Sequence, residues 1–133
     1  MKVTAFNGGK IANAGTNTSY RIIKPNLYKK WDKGTFGSVA ASVEYHYSKH
    51  RNERFVKAKN IESYLNKTNK MYSKVRKLKK STKDFRLIAK PGNPKKKHVA
   101  SYKFIDRSKN STRKQYITIS QSKQKKILTF GGN

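Results

Sequence analysis

Lysine and arginine fill 33 of the 133 positions against six aspartates and glutamates, a formal charge of +27. Self-repulsion of that size works against any compact state. A fold must therefore rest on the apolar residues, and these fall in discrete runs, which favours folding over global disorder. A chain of this length is expected to form one domain. It should gain stability from any acidic partner that binds the folded form. Nucleic acid is the leading partner class, because phosphate contacts dominate that kind of affinity. An acidic membrane surface fits less well, since no segment joins a clean apolar face to a basic one. The plain alternative is a generic basic protein of the ribosomal or packaging kind.

The chain has no cysteine, which removes disulfides, cysteine-zinc sites and a thiol nucleophile from consideration. No apolar run approaches transmembrane length, so no membrane insertion is expected. Met1 to Gly9 lacks the apolar core of a signal peptide. A protein of this kind that acts outside its own cell has to be carried there by a larger polypeptide or a secretion system.

Residues 1–33 read as an irregular N-terminal arm or linker. Gly8-Gly9 and the run Asn13 to Ser19 are loop chemistry. Tyr20 to Ile23 can form a short strand ended by Pro25, and Trp31 can anchor the arm or serve as an ordinary packing aromatic. Residues 34–133 form the expected domain. Gly34 to Ser38 reads as a loop into a helix capped by Ser38 or Thr35, with Val39, Ala40, Val43 and Tyr47 as its apolar stripe. A second helix is expected from an Asn60 cap to about Leu78, its stripe being Ile61, Tyr64, Leu65, Thr68, Met71, Tyr72 and Val75. Four strands follow, at 85–89, 99–105, 115–120 and 126–130. The order of elements predicts an α+β fold, N-terminal helices packed on a small antiparallel β-sheet.

Two of the three histidines, His46 and His50, stand one helical turn apart beside Lys49. Imidazole gives and takes protons near neutral pH. Cleavage of RNA without a metal needs a base for the ribose 2′-hydroxyl, an acid for the leaving oxygen and donors for the charge that builds on phosphate. His46 and His50 can move the protons. Lys49, Lys57, Lys59 and a hydroxyl such as Thr129 or Tyr116 can stabilise the charge, and Arg113 is a further RNA-binding candidate. Each has a bland counterpart: a histidine pair at this spacing is often structural, and most lysines in such a chain are solvated. His98, beside Lys95, Lys96 and Lys97, reads as part of a basic loop. The six carboxylates are scattered, which argues against a two-metal centre. A zinc site at His46, His50 and Glu53 rests on spacing alone. No metal or cofactor is expected. Lysine and aromatic residues interleaved on the strands, as in Tyr102-Lys103-Phe104, keep a second class open, a non-catalytic nucleic-acid-binding protein.

Gly34 to Ser38, His46-Tyr47-Ser48-Lys49-His50, Ala58 to Leu65 and Ile127-Leu128-Thr129-Phe130 together resemble the C-terminal ribonuclease toxin domains of bacterial polymorphic and contact-dependent-inhibition systems, the barnase/EndoU/colicin-like ribonucleases. The glycine usual after the second histidine is Arg51 here. The resemblance implies two helices on an antiparallel sheet and metal-independent cleavage of RNA, often tRNA. It points to His50 and His46 as acid and base, and to Thr129 near the scissile phosphate. It also implies a carrier polypeptide that delivers the toxin to the target-cell cytoplasm, and a cognate acidic immunity protein. Fast electrostatic association with such an inhibitor is what a charge of +27 would produce.

Overall fold

The computed structural model describes residues 4–7, 10–14, 20–109 and 114–133, with only the backbone course given for the strands up to Ile22. Strands β1 (Thr4–Asn7), β2 (Lys10–Ala14) and β3 (Tyr20–Ile22) form a three-stranded antiparallel sheet. Helices α1 (Val39–His50) and α2 (Ile61–Val75) follow. Strands β4 (Phe85–Lys90), β5 (Ser101–Asp106), β6 (Gln115–Ser120) and β7 (Ile127–Gly132) then pair in chain order as an antiparallel sheet. The fold class is α+β, as expected.

Both helices begin where side-chain chemistry favours it. The Ser38 hydroxyl accepts from the Ala41 amide at 3.0 Å, and the Asn60 side-chain carbonyl accepts from the Ser63 amide at 2.8 Å. Each satisfies an amide that the helix itself leaves without a partner. Lys49 and His50 fall in the last turn of α1, where positive charge suits the helix dipole. The α2 stripe is buried from Ile61 to Val75, and α2 stops short of Leu78.

The core lies between the helices and one face of the larger sheet. Phe104, Ile117, Ile119, Ile127 and Phe130 meet Val43 and Tyr47 of α1 and Tyr64, Leu65 and Met71 of α2. The Tyr64 hydroxyl donates to the Phe130 carbonyl at 2.6 Å, tying α2 to β7. Ile127 and Phe130 are both fully buried although they are three residues apart. Strict alternation forbids that. A register shift resolves it: Thr118 pairs with Thr129, while Ile119 pairs with Ile127, so β7 carries an extra residue, Leu128. The bulge turns both Leu128 and Thr129 away from the core.

The short strand expected at Tyr20 to Ile23 is present as β3, Tyr20–Ile22, while the expectation of an otherwise irregular arm up to residue 33 is corrected. β1 pairs with β2 from Thr4–Asn13 to Asn7–Lys10. Strands this short and of mixed polarity carry little periodic signal in the sequence. Residues 23–33 belong to the folded body. Ile23 and Trp31 are each 2% exposed. The Ile127 amide donates to the Lys30 carbonyl and the Asp32 amide to the Ile127 carbonyl, so this segment runs along the edge of β7. Asn69 of α2 donates to the Leu27 carbonyl and holds the short 3-10 turn at Pro25–Leu27. The boundary at 33 and 34 is therefore not a structural one.

Candidate active site

Helix α1 straddles the edge of the sheet at β7. Its apolar side enters the core through Val43 and Tyr47, while Ser42 and His46 reach the opposite sheet face. By the strand register, that face carries Arg86 and Lys90 of β4, Ser101 and Lys103 of β5, Tyr116 and Thr118 of β6, and Thr129 of β7. A cavity of about 400 Å³ opens there. Its walls include Ser42, His46, Lys90, Lys97, His98, Ser101, Thr118 and Thr129. Among the described residues no carboxylate lines it, so the polar groups an anion meets there are lysines, imidazoles and hydroxyls.

His46 sits in an aromatic setting. Trp31 lies 5.8 Å away between ring centroids, Phe36 5.6 Å and Tyr45 5.2 Å. Its Nδ1 is 2.8 Å from the Ser42 carbonyl oxygen, an atom that can only accept. Nδ1 therefore carries the proton, and in the neutral ring Nε2 is a bare acceptor. Burial pushes the His46 pKa down to about 4, and electrostatic coupling to His50 and Lys49 adds to this against the opposing pull of the Ser42 hydrogen bond. His46 is neutral at pH 7.

His50 stands directly behind. The two imidazoles are parallel within 3° at a centroid separation of 6.1 Å. His50 is only 5% exposed, and its Nδ1 is 2.7 Å from Glu53 Oε2. The other Glu53 oxygen, Oε1, accepts from the Gly132 amide at 2.8 Å. One carboxylate thus orients an imidazole and pins the end of β7. Tyr116 meets the His50 ring edge-on at 6.1 Å, and Lys103 Nζ lies 4.5 Å from the centre of the Tyr116 ring. Burial, with the Glu53 charge beside it, raises the Tyr116 pKa, so its hydroxyl stays protonated. The cluster closes over Gly131, where an added Cβ would lie 2.6 Å from the Tyr116 hydroxyl and 2.8 Å from Glu53 Oε1. A glycine is required there by close approach.

The residues expected from sequence divide clearly. His46 and Thr129 line the cavity. His50 and Tyr116 form the layer beside it. Lys49 is exposed, with its Nζ 5.6 Å from the Tyr45 ring. Lys57 and Lys59 are exposed in the connection between the helices and do not line the cavity. Arg113 lies outside the described residues. Sequence reasoning gave no site role to Ser42, Lys90, Lys97, Ser101 or Thr118, and set His98 aside as part of a basic loop. Only alternation along β6, which puts Thr118 on the face of Tyr116, offered a signal for any of them. The spacing-based zinc site is not assembled. Among the described residues no group of three or more His, Cys, Asp or Glu is placed to hold a metal ion, and Glu53 is engaged by His50 and Gly132.

No protein-family model, curated protein or solved structure matches the chain. Among the described residues, no helix is long and apolar enough to cross a membrane.

Proposed function

We propose that this chain is a cytotoxic endoribonuclease domain that cleaves RNA through attack of a ribose 2′-hydroxyl on the adjacent phosphate, without a metal. The observation that carries this reading is His46: a neutral imidazole whose Nδ1 proton is held by the Ser42 carbonyl, on the wall of a cavity whose polar lining is lysine, imidazole and hydroxyl beside apolar residues such as Phe36 and Val99. Nε2 is then the acceptor for the 2′-hydroxyl proton. Lys90 and Lys97 balance the charge that builds on the phosphate, and Thr118 and Thr129 offer hydroxyl donors to its oxygens. The His50–Glu53 pair holds the ring stack and the β7 end in register behind the reacting group. The resemblance noted in the sequence adds tRNA as the substrate class, a carrier polypeptide for delivery to a target-cell cytoplasm, and an acidic immunity protein. A net charge of +27 suits both tRNA and such an inhibitor.

The competing reading is a non-catalytic nucleic-acid-binding protein. It draws on Lys103 over the Tyr116 ring, which pairs a phosphate contact with an aromatic face. The two separate on one gel. Purified protein is incubated with total bacterial RNA in EDTA beside His46→Asn, a variant whose amide can still donate to the Ser42 carbonyl. Discrete fragments ending in 2′,3′-cyclic phosphate from the wild type alone are the expected result. Intact RNA in both lanes, with retained salt-sensitive binding, would leave the binding protein standing.

A further inference from the structure

We infer that His98 is the second catalytic residue of this cavity, the acid that protonates the leaving oxygen; the inference rests on the ribonuclease reading above. Displacement at phosphorus places the attacking and leaving oxygens roughly in line, on opposite sides of the atom. The two proton-transfer groups therefore have to come from different walls. His50 cannot partner His46 in this way, since it lies parallel behind it on the same helix face and is almost fully buried. His98 belongs to the connection between β4 and β5 and lines the cavity that His46 lines.

The loop that carries His98 is built to hold it. Asn93 and His98 exchange backbone hydrogen bonds, Asn93 amide to His98 carbonyl at 2.8 Å and His98 amide to Asn93 carbonyl at 3.0 Å. The 3-10 turn Pro94–Lys96 is closed between them. Lys97, a non-glycine residue, takes the left-handed conformation at φ 58° and ψ 25° to make that closure. Such a conformation is disfavoured for a side chain with a Cβ and persists where the surroundings impose it. At the neck, a Cβ on Gly92 would lie 2.9 Å from both the Ala100 amide nitrogen and the His98 carbonyl oxygen, so only glycine lets the two sides of the loop touch. Gln121 braces the same neck, its backbone amide donating to the Ala100 carbonyl at 3.0 Å and its side chain to the Ser101 carbonyl at 2.9 Å.

The reaction balances with these two groups. The 2′-oxygen forms a bond to phosphorus as its proton passes to His46 Nε2. The bond from phosphorus to the 5′-oxygen breaks, and that oxygen takes a proton from the His98 imidazolium. A 2′,3′-cyclic phosphate and a free 5′-hydroxyl result, with both histidines in exchanged protonation states. Among the described residues, the charged and titratable groups lining the cavity are His46 from α1, Lys90 from β4, and Lys97 and His98 from the loop.

The test uses an RNA carrying the wild-type cut site, made with either oxygen or sulfur at the 5′ leaving position. A thiolate leaves without a proton, so it relieves the need for an acid. His98→Gln is expected to cut the oxygen RNA ~10²- to 10⁴-fold more slowly. It should cut the sulfur RNA within about tenfold of the wild type, while His46→Asn stays slow on both. The kcat/KM profile of His98→Gln should lose its alkaline limb. His98 is exposed, so the variant should fold, and an unchanged thermal melt confirms it. A wild-type rate on the oxygen RNA, or equal impairment on both RNAs, overturns the role of His98 alone. A wild-type protein that cuts no RNA overturns the ribonuclease reading and this inference together.

Discussion

Replacing His46 with asparagine should make the protein more resistant to acid than the wild type. The direction follows from linkage. Free imidazole titrates near 6.5, and in the folded chain burial holds His46 down at about 4. Above pH 6.5 the ring is neutral in both states and the two proteins keep a constant difference in stability. Between 6.5 and about 4 the unfolded wild type binds a proton that the folded form refuses, so wild-type stability falls as pH falls. Below about 4 the loss is complete. At about 1.4 kcal/mol per unit the shift gives an upper value of about 3 kcal/mol. The ring is partly exposed, so solvent screening should bring this to about 2 kcal/mol. Asparagine can keep the donor to the Ser42 carbonyl and has nothing to titrate. Urea unfolding at pH 7.5, 6, 5 and 4 measures the difference directly, since most groups common to both chains cancel. With a typical slope, the wild-type midpoint should fall by about 1 M relative to the variant across this range. A gap between the two proteins that stays constant from pH 7.5 to 4 would refute the claim that His46 is held neutral by its surroundings.

Other outcomes follow from the same geometry. Gly131→Ala should cost about 1–3 kcal/mol in thermal or urea unfolding, because the new methyl meets the Tyr116 hydroxyl and Glu53 Oε1 at contact distances no side chain tolerates. Trp31→Ala should cost about 3–5 kcal/mol. A loss under 1 kcal/mol would mean that residues 23–33 are not part of the folded body. Glu53→Gln should cost about 1–3 kcal/mol, since one amide cannot accept from both His50 Nδ1 and the Gly132 amide. A stability equal to wild type would show that this carboxylate does not pin β7. Lys103→Met should lower the slope of log affinity against log salt for single-stranded RNA by about 0.7, the share of one phosphate contact. An unchanged slope would remove the open sheet face from the binding surface.

What the sequence determined alone was local. Ser38 and Asn60 cap the helices because a side-chain oxygen on an extended residue at the start of a helix reaches the amide three residues on, a purely local geometry. The α2 stripe and the strands after Phe85 were legible because apolar periodicity reports which side of an element avoids water. The pairing of His46 with His50 on one turn of helix needed no more than helical pitch. Tertiary structure decided which of those histidines lines the cavity. Ser42 and His46 reach the open sheet face because α1 sits across the edge of β7, and His50 faces Glu53 and Tyr116 instead. Leu128 joins Thr129 on the cavity wall only through the bulge, which the burial of both Ile127 and Phe130 enforces. His98 stands 52 positions after His46 in the chain and reaches the same cavity through the closed loop after β4. No spacing rule connects such residues, because their proximity is set by how a sheet edge, a helix and a hairpin loop pack, and that packing is a property of the whole chain.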